Sequence, residues 1–258
     1  MRFPRFAFLA LFALIAQFAS AQQTATTVQR DPQALSALQQ SIAAMGNTAP
    51  SDSTATGTIT TVAGSLTETG SIVILTRGTD QTSEQIQTPS GFTRVYSQGY
   101  ATLNSGGTTS KLPMESVVTT QCTYFPLPFL AGAIANPDVA LKYVGLEALN
   151  GGSTQHIRLR NTFASIPDLQ AIANLSLTDV WLSATSGLPQ KVSFTHHASG
   201  GSSPGVRVDV FLSNYKNVSG ILYPFSLQVS LNGTTWATVS IQNVTLNSGL
   251  TDGSFSVQ

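Results

Sequence analysis

Between Ile221 and Leu231 the chain alternates with a period of two. Ile221, Tyr223, Phe225, Leu227, Val229 and Leu231 fall on one face; Leu222, Pro224, Ser226, Gln228 and Ser230 fall on the other. Strand side chains point alternately to the two faces of a sheet, so this run predicts a strand with one buried face and one wetter face. Asn232-Gly233 follows, the pair best suited to the positive φ angles of a two-residue hairpin turn. A return strand then runs to about Leu246. Ile241 and Val244 break its alternation, which predicts a β-bulge near Gln242-Asn243. The ladder fixes the class of fold as mainly β.

The beginning of the sequence reads as an export signal. Arg2 and Arg5 supply the positive region, Phe6 to Phe18 the apolar region, and Ala19-Ser20-Ala21 the small-x-small cleavage pattern, so residues 1–21 are expected to be removed. The apolar run is shorter than the ~20 residues a membrane span needs. Residues 22–30 read as a flexible leader and 31–258 as one domain, a length that single all-β units often reach. The mature chain is expected to be soluble outside the cytoplasm.

Charged residues make up 9% of the sequence, against about 25% in an average domain, and the formal net charge is zero. That balance removes any electrostatic case for nucleic acid or an anionic membrane surface. Cys122 is the one cysteine and cannot form an internal disulfide, so stability has to come from a core. Thr119 to Leu130 carries no charge, which favours a buried inert thiol over a reactive one.

Asp31-Pro32 is a good helix start, with a capping acceptor and a proline at the first helical position. Leu35, Leu38, Ile42 and Met45 then recur at helical spacing up to Gly46. Asn47 to Gly57 reads as a polar loop. Short strands follow at Thr58–Val62, Ser71–Arg77, Thr82–Gln87, Phe92–Ser97 and Tyr100–Leu103, broken by Gly, Asn or Pro as in an antiparallel meander. Ser116 to Pro137 carries no charge and crowds large apolar residues around Pro126 and Pro128. It predicts a short proline-opened helix over about Leu127–Ala135.

Asp138 to Leu149 has helical propensity, but Asn150-Gly151-Gly152 and the alternation of Gln155, Ile157 and Leu159 point to a hairpin, so the segment reads as a strand. Pro167–Asn174 reads as a short helix. Leu177–Ser183 and Gln190–His197 pair across a turn, Gly200–Gly205 is a loop, and Val206, Val208, Val210 and Leu212 share one strand face. The total is roughly ten strands with helices against one side.

No nucleophile elbow, zinc-protease helix, phosphate-cradling loop or paired-cysteine spacing occurs. His196 and His197 are neighbours on a strand and point to opposite faces, so they do not bind one metal together. Asp179 and Asp209 read as solvated outer-face residues rather than an acid/base pair. His156, Arg158 and Arg160 read as a solvent-facing stripe rather than an anion site. Trp181 and Trp236 leave a sugar-stacking platform open, with rim packing the simpler reading. Asn174, Asn217, Asn232 and Asn243 open Asn-x-Ser/Thr sequons that a sequence this rich in Ser and Thr produces by chance. No metal or other cofactor is implied.

Val180-Trp181-Leu182 followed by Gly187-Leu188-Pro189-Gln190-Lys191 resembles the strand-turn-strand of LolA-like lipoprotein-carrier proteins. The later order Asn214-Tyr215, Gly220, Pro224, Gly233, Asn247, Leu250 and Phe255 is similar to their closing strands. The resemblance covers about the last eighty residues well and the middle in outline. It implies an unclosed, strongly curved antiparallel half-barrel with helices plugging its concave side. It also implies a periplasmic location and an apolar hollow that holds the acyl chains of lipids or lipoproteins. The acyl carriers use an arginine near the barrel mouth; no matching motif surrounds Arg77 or Arg94.

On that basis the hydrophobic lid and cavity are expected to comprise Phe125, Leu127, Phe129, Leu130 and Ile134 opposite Phe225, Leu227 and Val229. The expected function is non-enzymatic binding of a hydrophobic ligand by a monomer, of carrier or chaperone type. An envelope protein-interaction or sensing module with the same half-barrel is the alternative, and an enzyme a third reading that no residue constellation supports.

Overall fold

The computed structural model describes residues 28–119, 124–197 and 205–256. The expected export signal, the leader up to residue 27, Cys122 and most of the expected 200–205 loop lie outside the described residues.

Helix α1 (Pro32–Met45) starts where Asp31 accepts a hydrogen bond from the Gln33 backbone at 2.8 Å and ends at Gly46, whose φ is 120°. It buries Ala34, Ala37, Leu38 and Met45, with Leu35 and Ile42 packed at the rim of the same core. Six strands follow: β1 (Asp52–Ala63), β2 (Leu66–Arg77), β3 (Gln81–Gln87), β4 (Phe92–Ser97), β5 (Tyr100–Ser105) and β6 (Thr108–Lys111). Helices α2 (Met114–Thr119) and α3 (Pro126–Ala135) come next. Then follow β7 (Val139–Leu149), β8 (Gly152–Asn161), a 3-10 helix (Pro167–Ser176), β9 (Thr178–Ser183) and β10 (Pro189–His196). The chain closes with β11 (Val206–Val218), β12 (Ile221–Leu231), β13 (Thr234–Leu246) and a 3-10 turn (Asp252–Phe255).

The thirteen strands of the described residues form one antiparallel sheet in the order β6-β5-β4-β3-β2-β1-β13-β12-β11-β10-β9-β8-β7. The first strand pairs with the last, so the open edges are two strands from the middle of the chain, β6 and β7. The connection between those edges carries α2 and α3 and therefore crosses from one edge to the other. This topology is why helices sit on the concave side: α3 and α1 pack together there, with α1 also against β7 and β12, while α2 touches β5 and β10.

Several sequence expectations need correction. The expected loop over residues 47–57 ends at Ser51, because Asp52 to Thr56 pair with β2 and Ser53 to Thr56 also with β13. Polar side chains hid this strand: Ser53 and Thr76 are buried and hydrogen-bond each other, and Asp52 accepts from the backbone of Ser248, Gly249 and Leu250. β6 and α2 lacked apolar periodicity and were not expected. The leader is not free at its end: Leu141 donates to the Gln29 carbonyl and Asp31 to the Leu141 carbonyl, a parallel bridge that covers part of the β7 edge.

Other expectations hold. Asn232 and Gly233 have φ of 49° and 84°, the hairpin geometry expected of them. Gln242 bulges out of β13, since Thr56 faces Asn243 and Gly57 faces Ile241. Gly57 is required at that bulge, because a Cβ there would lie 2.2 Å from the Ser240 carbonyl oxygen.

Candidate functional site

Two cavities of similar volume lie beside the plugging helices. One, about 250 Å³, lies between α3, the β2–β3 turn and β7–β8, and mixes Phe129, Ala133, Val139 and Leu159 with Asp80, Asn136, Asn161 and Thr178. The other, about 240 Å³, is bounded by β3–β4 on one side and β10–β13 on the other. Its wall is mainly apolar: Phe194, Val206, Val208, Val210, Val229 and Leu231 from the far strands, and Phe92 from β4. The chemistry of that wall makes the second cavity the candidate site.

Curvature creates it. β4 and β13 are four strands apart in the sheet, roughly 19 Å if the sheet were flat at about 4.8 Å per strand. Yet the Phe92 and Trp236 rings stack across the hollow with centroids 6.4 Å apart. Trp236 reaches inward because of a second bulge. Val229 pairs with Ala237 and Ser230 with Thr235, so Trp236 is the extra residue, and it turns to the same side as Ala237. The expected strand alternation gives no warning of this.

One polar cluster interrupts the apolar wall. Glu84 and Arg94 are directly paired across β3 and β4. The Arg94 guanidinium donates to Glu84 Oε2 from Nη2 at 2.6 Å and from Nε at 3.2 Å. The Tyr124 hydroxyl, from the turn leading into α3, donates to Glu84 Oε1 at 2.8 Å. Burial works against the Arg94 charge, but the Glu84 carboxylate outweighs it and raises the guanidinium pKa. Burial, reinforced by the Glu84 charge, raises the Tyr124 phenol well above its ordinary value. His196 lines the hollow as well; burial, then the positive charge of Arg94, lowers its pKa to about 4, so it is neutral at physiological pH.

The plug is fastened at both ends. Tyr124 holds the start of α3 to Glu84, and Arg30 Nη2 donates to the Ala133 and Ile134 carbonyls at 3.1 and 2.9 Å, at the negative end of the helix. In between, Phe125 lies over Tyr223 with ring centroids 4.4 Å apart, and Leu127 and Leu130 are fully buried.

The residues expected to form lid and cavity thus separate. Phe125, Leu127, Leu130, Phe225 and Leu227 belong to the packed core, with Ile134 at its rim. Phe129 lines the mixed cavity and Val229 the apolar one. Glu84, Arg94, Phe92, His196 and Trp236 were not expected there. A partial signal existed: in a chain this poor in charge, Glu84 and Arg94 stand on adjacent expected strands, one position away from direct opposition about the centre of the turn over residues 88–91.

Arg160 is exposed and lines the mixed cavity, whereas His156, Asp179, Trp181 and Asp209 lie on the other face of the sheet and are less solvated than expected. Both His156 nitrogens face carboxylates, Glu147 at 2.7 Å and Asp179 at 2.8 Å, and its ring stacks on Trp181 at 4.3 Å. Trp181 donates to Glu147, Arg158 to Asp179, and Lys191 and Arg207 pair with the buried Asp209. These groups form a cross-strand network from β7 to β11.

No protein-family model matches the sequence, and no curated protein sequence does either. Solved structures do match. The chain is similar to a domain from Vibrio parahaemolyticus named for outer membrane lipoprotein sorting, with a TM-score of 0.57, 12% identity, and 86% of this chain and 96% of that one covered. It is similar to a LolA superfamily protein from Nitrosomonas europaea, with a TM-score of 0.57, 14% identity and coverages of 87% and 97%. A DUF1329 family protein from Desulfovibrio piger aligns with a TM-score of 0.56 at 10% identity over 86% and 97%. At such identities the likeness is one of fold: the chain has the unclosed antiparallel half-barrel of LolA superfamily proteins. The match spans most of the chain, well beyond the last eighty residues. Among the described residues no helix is long and apolar enough to cross a membrane.

Proposed function

We propose that this is an exported single-domain protein, cleaved after Ala21, that binds a hydrophobic ligand in the hollow between β3–β4 and β10–β13. The ligand is an acyl chain of a lipid or lipoprotein, and the role is that of a carrier or chaperone that leaves the ligand chemically unchanged. The observation that carries this reading is an apolar cavity of about 240 Å³ inside a LolA-like half-barrel, with its polar groups gathered at one cluster. Each methylene removed from water there contributes roughly 0.8 kcal/mol. The name of the Vibrio structure supports the same class of ligand.

The volume sets a limit on the closed form. Pockets for drug-sized ligands run from about 300 to 1,000 Å³, so the hollow as it stands takes a short apolar segment. A long acyl chain requires α3 to move, which breaks the Tyr124–Glu84 hydrogen bond. Phe125, Leu127, Phe129, Leu130 and Ile134, with Phe225, Leu227 and Val229, then become the additional contact surface.

Native mass spectrometry of the protein purified from the envelope of producing cells tests the reading. A co-purified lipid or acylated species is expected. A stoichiometric protein partner without lipid would support an interaction or sensing module instead.

A further inference from the structure

The charges around the hollow cancel. Glu84 supplies the carboxylate on its wall and Arg94 the guanidinium. Tyr96 and Tyr124 are phenols, the latter held neutral by burial and by the neighbouring Glu84 charge. His196 is neutral at physiological pH because burial and Arg94 oppose its protonation. Arg94 engages Glu84 through Nε and Nη2. Its Nη1 has no partner among the described residues, on a side chain that remains 21% exposed. A guanidinium has five N–H donors, so the cluster still offers hydrogen bonds while it offers no net charge.

We infer that the hollow selects acyl ligands with an uncharged, hydrogen-bond-accepting head, such as an ester, over free carboxylates, and that Glu84 sets this selectivity. The inference rests on the hollow being a lipid site. A free carboxylate entering it is a second anion beside one cation that is already engaged. Moving it out of water leaves a net negative charge without a counter-charge, in a cavity walled by valines and aromatic rings. An ester carbonyl brings an acceptor and no charge, and the spare Arg94 N–H groups serve it. Replacing Glu84 with glutamine reverses the balance. The amide keeps the shape: its one oxygen can accept from Arg94 while its nitrogen donates to the Tyr124 hydroxyl, but the guanidinium is then without a counter-charge, and a ligand carboxylate supplies what is missing.

The test is displacement of the uncharged dye Nile red at neutral pH by dodecanoic acid and by its methyl ester. It uses the wild type, Glu84→Gln, and the double variant Glu84→Gln with Arg94→Met. The ratio of acid to ester affinity is compared between proteins, which cancels the difference in water solubility between the ligands. That ratio is expected to rise by about tenfold or more in Glu84→Gln, equivalent to roughly 1.4 kcal/mol, and to return toward wild type in the uncharged double variant. Melting curves confirm that each variant is folded. If Glu84→Gln does not fold, the wild type and the double variant decide: neither site carries a net charge and both should favour the ester. A wild type that takes the acid as readily as the ester, or a folded Glu84→Gln with an unchanged ratio, would overturn the selectivity while leaving a lipid site in place. Failure of the wild type to bind dye, acid or ester would remove the lipid reading itself and this inference with it.

Discussion

Tyr124 and Glu84 join the plug to the sheet: the phenol donates to Oε1 at 2.8 Å while Arg94 occupies Oε2 of the same carboxylate. Glu84 is almost fully buried, with its side chain 4% exposed. The pair is forty positions apart in sequence, and it is the polar contact that fixes where α3 begins.

Tyr124→Phe should therefore loosen the plug without emptying the core. A hydrogen bond to a charged group is worth about 1.5–3 kcal/mol, and a domain of this size loses about 2–4 °C of melting temperature per kcal/mol. A fall of roughly 3–12 °C is expected, with faster amide exchange in α3 than in β12. Equal exchange in both elements of wild type and variant would count against the latch.

Asp209 anchors the convex network, taking Lys191 at 2.9 Å and Arg207 at 3.2 Å, while the Lys191 ammonium also sits over the Trp181 and Phe211 rings at 4.5 and 5.2 Å. Asp209→Asn leaves a nearly buried ammonium without its partner. Breaking such a pair costs about 3 kcal/mol or more, and denaturant melts should show it. A change under about 0.5 kcal/mol, as at an ordinary surface position, would mean that the network adds little.

His196 gives a pH signature. Its folded pKa, about 4, lies below the ordinary 6.5 because burial and Arg94 disfavour the charged ring. The unfolded chain then binds more protons between those values, so the stability it contributes is full above pH 6.5 and is lost as pH falls toward 4. His196 is only partly buried, so screening by solvent reduces the effect to the order of 1 kcal/mol. Denaturant melts over that window should show a steeper acid loss for wild type than for His196→Gln. Parallel curves would contradict the assignment.

The sheet was legible where burial on one face imposes alternation. Ile221–Leu231 and Phe92–Ser97 have the same boundaries in sequence and structure. Asp52 to Thr56 were not legible, because Asp52 and Ser53 are buried by hydrogen bonding rather than by apolar packing. The apolar density of Tyr124–Ile134 suggested a lid over a cavity; Phe125, Leu127 and Leu130 fill the core, and Phe129 lines the mixed cavity. Apart from Val229, the candidate cavity is lined by residues that were not expected there, some of which curvature and a bulge bring together, as with Phe92 and Trp236. Period-two reasoning places Trp236 opposite Ala237 and so directs it away from the hollow.

Binding of an apolar ligand in the hollow between β3–β4 and β10–β13 is open to a direct test. Val208 lines it, is only partly buried, and faces inward from β11 opposite Leu231. Val208→Phe should fill the space with the fold intact, since filling a cavity commonly leaves stability unchanged or raises it by about 0.5–2 kcal/mol. The measurement is Nile red titration of wild type and Val208→Phe, with a melting curve for each. Saturable binding by the wild type, weakened by about tenfold or more in a variant that melts no lower, equivalent to roughly 1.4 kcal/mol of binding, is the predicted result. Equal binding by the two folded proteins, or no saturable binding by the wild type, would contradict it.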